Sequence, residues 1–236
     1  MRRSFGALAL LLAGASVHPA FCQAADGASS AASGKAPKDA VKSFDKGRDA
    51  AGNKKWEAAA KNFEKAVELY PGYAEAWCEL GKTQIQLKQL DEAHKSLEAS
   101  IKADDKYPPA YSALLTVESQ NQNWKGMADV AERLIELAPG SSAEVYFSDA
   151  VAQFRLQNLE VAEKRAREGI KLDEGHTQLK LYEVLASVLA ERGDLGGAED
   201  QLKLYLQFAP FAPDAASVKA QIADLVNRVQ GAPAKQ

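Results

Sequence analysis

The chain has 236 residues, 46% of them apolar and 26% charged, with two cysteines and a formal charge of −3. These values exclude wholesale disorder, a collagen-like or polytopic membrane chain, a disulfide scaffold and a cysteine-based zinc site, and they offer no broad basic surface for nucleic acid. The composition leans on Ala, Leu, Glu, Lys and Gln, the strong helix formers.

The amino terminus reads as a secretory signal over residues 1–24. Arg2 and Arg3 form a short basic segment, Phe5 to Val17 is an uncharged apolar run, and small residues follow. Cleavage fits best after Ala24, with Cys22 and Ala24 as the small residues before the cut; cutting after Cys22 is the nearest competitor. The apolar run is shorter than the roughly 20 residues of a spanning helix, so a membrane role is expected only if the signal is retained as an anchor. Phe21 beside Cys22 argues against lipid attachment there. Cleavage after Ala24 leaves 27 basic against 32 acidic residues, and Cys78 as the one cysteine, so stability has to come from packing. Export to the periplasm or medium is the expectation. Residues 25–39 are small and polar and read as a flexible linker, as do residues 231–236 as a tail.

The body repeats. Bulky residues expected to open a second helix fall at Trp56, Leu90, Trp124, Leu159 and Leu195, with spacings of 34, 34, 35 and 36. Aliphatic residues at Val67, Ile101, Ile135, Ile170 and Leu206 keep the same spacings, as do the stops at Pro71, Asp105, Pro139, Glu174 and Pro210. Small residues (Ala59, Ala66, Ala93, Ala150, Ala162, Ala186, Ala198) sit where helices have to approach closely, and aromatics fill the area around them. Gly193–Asp194 reads as a helix stop followed by an N-cap. No stretch alternates with period two, so no sheet is expected.

This pattern resembles the tetratricopeptide repeat, a helix–turn–helix unit. The second repeat carries the family signature in Trp77, Leu80, Gly81, Ala93 and Leu97; the first carries Gly47, Ala59, Phe63, Ala66 and Pro71. Departures are Ser43 in place of an aromatic, Met127 in an alanine column and Gly169 at repeat position 27. The resemblance implies an all-α, right-handed α-solenoid of about five units, 40–73, 74–107, 108–141, 143–176 and 179–212, closed by a capping helix over 213–230. That helix would bury the stripe Val218, Ile222, Leu225 and Val229.

No catalytic constellation, metal-ligand spacing or cofactor motif emerges. His94 and His176 stand far apart, Cys78 has no histidine near it in sequence, and the acids are spread over every helix as on a solvated surface. The expectation is a protein that is no enzyme and needs no cofactor or metal. In proteins with this resemblance, positions 2, 5, 9, 12 and 13 of each first helix line an inner groove. That gives Phe44, Arg48, Cys78, Lys82 and Ile85 as one set of candidates and Phe147, Val151, Phe154 and Arg155 as another, either as a groove or as packing against neighbouring repeats. Phe44 stands where chaperone-binding members have the first lysine of a carboxylate clamp, so that role is disfavoured. The expected activity is a scaffold that binds a peptide or protein, not nucleic acid, in a bacterial envelope complex. The alternative is an accessory factor for an envelope enzyme or a polysaccharide or maturation system.

Overall fold

A computed structural model describes residues 33–140 and 142–231. The signal over 1–24, most of the linker and residues 232–236 of the tail lie outside the described residues. A short turn at Ser33–Lys35 leads into eleven helices. These are α1 (Lys38–Gly52), α2 (Trp56–Leu69), α3 (Ala74–Gln86), α4 (Leu90–Ala103), α5 (Pro108–Gln120), α6 (Trp124–Leu137), α7 (Ala143–Arg155), α8 (Leu159–Leu172), α9 (Lys180–Glu191), α10 (Leu195–Phe208) and α11 (Ala215–Gly231). No strand occurs among the described residues, and the five residues expected to open second helices are the first residues of α2, α4, α6, α8 and α10. The chain forms two compact units that divide between Pro139 and Gly140.

The same local device turns every hairpin. The residue before the last loop position lies in the left-handed region: Lys54, Lys88, Gln122 and Gln157 at φ of 56°, 59°, 53° and 62°, and Gly193 at 88°. The next amide then reaches back to the helix just ended, as in Lys55 N–H to Ala50 O, Asn123 N–H to Glu118 O and Asp194 N–H to Leu189 O, each 2.9 Å. This double-bonded helix stop satisfies carbonyls that the helix end would orphan. Only the last hairpin uses the residue that takes this conformation without steric cost. The Asp194 carboxylate then caps α10 by accepting from Gly197 N–H at 2.9 Å.

In the N-terminal unit, α1/α2, α3/α4 and α5/α6 are hairpins, and α2 packs on α3 and α4 on α5. Close approach is set by size matching. A Cβ on Gly47 would lie 2.6 Å from the Phe63 ring, and one on Gly81 would lie 2.6 Å from Leu97. The third hairpin exchanges the sizes: Leu115 stands where Gly47 and Gly81 do, and Ala131 where Phe63 and Leu97 do, both fully buried. Met127, a departure from the alanine column, is 2% exposed and fills core volume.

In the C-terminal unit, α7/α8 and α9/α10 are hairpins, α8 packs on α9, and α10 on α11. Gly169 is explained by what surrounds it: a Cβ there would lie 2.9 Å from both Tyr146 and Leu181. Position 7 of the α7/α8 repeat holds Asp149 in place of the Leu80, Leu114 and Leu185 of other repeats. Its fully buried carboxylate faces Arg165 Nε at 2.8 Å and accepts from Gln153 Nε2 at 3.1 Å. On α11, Val218 and Leu225 are buried, Ile222 is half-buried and Val229 is exposed. The outer end of the expected stripe therefore stays in solvent.

Candidate binding faces of the two units

In the N-terminal unit, the first helix of each hairpin carries the candidate face. Phe44 on α1 is only 7% exposed. Its ring lies 5.7 Å from Phe63 and 5.0 Å from Tyr73, centroid to centroid. Tyr73 directly precedes α3 and reaches back over α1. Arg48, one helical turn beyond Phe44 and exposed, holds its guanidinium carbon 5.9 Å from the centroid of the Phe44 ring. That is within cation–π range. Burial pushes the Tyr73 phenol up to about 12, helped by the charges of Glu75 and Asp45 and opposed by Arg48.

One repeat later the arrangement recurs with different side chains. Tyr107 directly precedes α5, and its phenol is pushed strongly up by burial, then by Cys78, with Lys82 acting in the opposite sense. Cys78 is fully buried at the position of Phe44. Lys82, at the position of Arg48, donates from Nζ to Glu79 Oε1 at 2.9 Å, and its side chain is 14% exposed. Each of these two inner helices therefore carries a buried inner residue with a cation one turn beyond, and a buried tyrosine precedes the helix that follows each hairpin.

Phe44 and Ile85 do not form an exposed apolar island. Phe44 joins a core cluster with Phe63, Tyr73, Ala76 and Leu80 that does not include Ile85, and Ile85 is itself 8% exposed. For Phe44 the physical reason is the overlying Tyr73, which the inner-position pattern leaves out because it belongs to no helix. Tyr73 and Tyr107 were nevertheless detectable: they sit 34 residues apart, in step with the repeat.

In the C-terminal unit, Phe147 and Val151 on α7 are buried, Phe154 is half-buried and Arg155 is exposed. The inner position of α9 holds a carboxylate. Glu183 is 5% exposed and accepts from Lys180 Nζ at 2.7 Å; Lys180 also pairs with Asp214, which accepts from the Tyr205 hydroxyl. Burial pushes the Glu183 carboxyl up against the pull of Lys180. Burial would also lower Lys180, but its bonds to Asp214 and Glu183 outweigh it and hold the ammonium up. Asp214, the residue before α11, thus lies over α9 much as Tyr73 lies over α1.

The histidines serve packing. His176 accepts or donates at Nδ1 with the Tyr182 hydroxyl at 2.9 Å, and the Phe208 ring stacks on it at 3.7 Å. His94 meets the buried Glu118 carboxylate at 2.9 Å, whose other oxygen accepts from Asn123 at 2.6 Å. Among the described residues no group of three His, Cys, Asp or Glu is arranged to hold a metal, and no helix is long and apolar enough to cross a membrane.

A family model described as tetratricopeptide repeat matches residues 50–117. No curated protein matches. Among solved structures, the chain is similar to YrrB, described as a TPR protein with an unusual peptide-binding site. Identity is 19% and the TM-score 0.71, over 77% of this chain and 92% of that one. It is also similar to MamA, at 18% identity and a TM-score of 0.67 over 76% of this chain and 95% of that one. MamA from Desulfovibrio magneticus RS-1, from residue 41 to its end, gives 15% identity and 0.66 over 75% and 98%. At such identities the likeness is one of fold.

Proposed function

We propose that this chain, which matches a tetratricopeptide-repeat model over residues 50–117 and is similar in fold to YrrB, is a non-catalytic interaction module that holds a peptide segment of a partner protein against its inner helices. The observation that carries this reading is the recurrence on α1 and α3: Tyr73 over Phe44 with Arg48 one turn on, then, one repeat later, buried Tyr107 before α5 and buried Cys78 with Lys82 one turn on. An exposed Arg48 and a partly exposed Lys82 beside an apolar floor suit an extended chain that bears acids or carbonyls facing the cations. The description of YrrB as peptide-binding supports the same class of ligand. The buried rings supply rigidity, and the exposed rim supplies recognition.

The signal-like pattern over residues 1–24 supports export, and with it a role in the assembly or organisation of an envelope complex. Cell fractionation with amino-terminal sequencing of the mature chain tests the export: cleavage near Ala24 supports it, and an intact cytoplasmic chain overturns it. Screening the chain against an acidic and neutral peptide library tests the binding. Capture that is lost in Arg48→Glu with unchanged thermal unfolding supports the site; capture unaffected by that change overturns it.

A further inference from the structure

The outer face of α1 carries a charge pattern that α1 itself does not explain. Ala40, Ser43, Phe44 and Gly47 form its buried face, directed at α2 and α3. Diametrically opposite run Lys38, Lys42, Asp45 and Asp49, all exposed, at steps of four, three and four. That is the spacing of a helix-pairing seam. No other described element covers this stripe, and none of its four charges has an ion-pair partner within the described residues. An open hollow of about 410 Å³ lies along it, lined by the four with Ala36, Val41 and Lys46.

The order of signs is the informative part. Along the stripe the two lysines lie toward the helix N-terminus and the two aspartates toward the C-terminus, the reverse of what the helix dipole favours. Only Asp39, on the flank, has the favourable placement, and the last turn holds no base. Lys38–Lys42 and Asp45–Asp49 are also like-charge neighbours at i,i+4, which weakens an isolated helix. The pattern therefore costs the helix a little stability.

It is, however, self-complementary. When a second α1 is laid antiparallel on the first, Lys38 faces Asp49 of the other copy and Lys42 faces Asp45, and the two-fold axis repeats both pairs. Val41 then lies against the stem of the other copy's Lys46. A two-fold interface requires this kind of pattern, in which one patch matches its own rotated image. We infer that two copies of the chain associate through antiparallel pairing of α1 along Lys38, Lys42, Asp45 and Asp49. The seam has little apolar area, so the dimer is weak, driven by charge and sensitive to salt.

Sedimentation velocity of the full chain over a concentration series, at about 50 mM and about 500 mM salt, tests this. Reversible dimerisation that weakens at high salt is expected. Lys38→Glu with Lys42→Glu, and separately Asp45→Lys with Asp49→Lys, should each weaken self-association by about tenfold or more, since four attractions become repulsions. Mixing the two variants should restore a dimer, now mixed, and circular dichroism melts of each variant check the fold. A chain that stays monomeric throughout the low-salt series overturns the inference. So does a dimer that both reversals leave intact, or a mixture of folded reversal variants that fails to associate.

Discussion

The Phe44 and Tyr73 rings meet at 5.0 Å although all of α2 separates them in the chain, and the contact makes the first inner helix part of the core. Packing and recognition thereby fall to different residues on one face. Phe44→Ala removes a ring that is 7% exposed and should cost about 3–5 kcal/mol in denaturant unfolding. Arg48→Ala, at an exposed position, should stay within about 0.5 kcal/mol of the parent. Equal losses would contradict this division.

Two glycines of the C-terminal unit should respond in opposite senses to alanine. In Gly169→Ala the helix-propensity gain of about 1 kcal/mol opposes an overpacking cost of about 1–3 kcal/mol, because the new methyl meets Tyr146 and Leu181 at 2.9 Å. The net should be a loss. Gly196→Ala meets nothing within 4 Å and should gain up to about 1 kcal/mol. Thermal melts of both variants decide it.

Asp149 sits where the second, third and fifth repeats place leucine, and its partner Arg165 where those repeats place Ser96, Val130 and Gln201. Removing one partner strands a buried charge, so Arg165→Met should cost about 3–5 kcal/mol. Adding Asp149→Leu, the residue found at this position in Leu80, Leu114 and Leu185, should recover most of that loss. A double variant as unstable as the single would show that the pair does more than satisfy itself. Equilibrium unfolding of the two variants measures it.

Asp214 makes the seating of α11 sensitive to acid. Burial acts to raise its carboxyl, but hydrogen bonds from Lys180 and Tyr205 outweigh burial and hold it below its ordinary value of 3.8. A depressed carboxyl stabilises the fold fully above the unfolded value, and the contribution is lost as pH falls through the folded one. Stability should thus hold down to about pH 4 and decline below it. Asp214→Asn should be less stable at neutral pH and show a shallower decline in acid. Asp173 is also depressed, burial being outweighed by its bonds from Gln178 and Thr177, and accounts for slope that remains. Urea midpoints measured from neutral to acid pH, for parent and variant, provide the test.

The helical hairpins were readable in the amino-acid pattern because bulky, small and stop residues repeat in register, and the starts of five helices followed from one column, Trp56 to Leu195. The turn conformation was not readable at Lys54, Lys88, Gln122 and Gln157, because nothing in those side chains announces a left-handed backbone; the surrounding double hydrogen bond imposes it. The face was half readable. Arg48 and Arg155 are exposed as their inner positions imply, but Phe44, Ile85, Phe147 and Val151 are buried. At Phe44 the covering residue is Tyr73, which precedes the next hairpin, and a helix-by-helix pattern does not contain it.

The most direct test of peptide holding is crosslinking from the rim. A photoreactive residue at Gln86, exposed at the end of α3, or at Gln120, exposed at the end of α5, should capture a bound peptide. The same residue at Glu57, exposed on α2, should not. Crosslinks confined to Gln86 and Gln120, and abolished by Arg48→Glu, are predicted; crosslinks of equal strength from Glu57 would contradict a binding face on the inner helices.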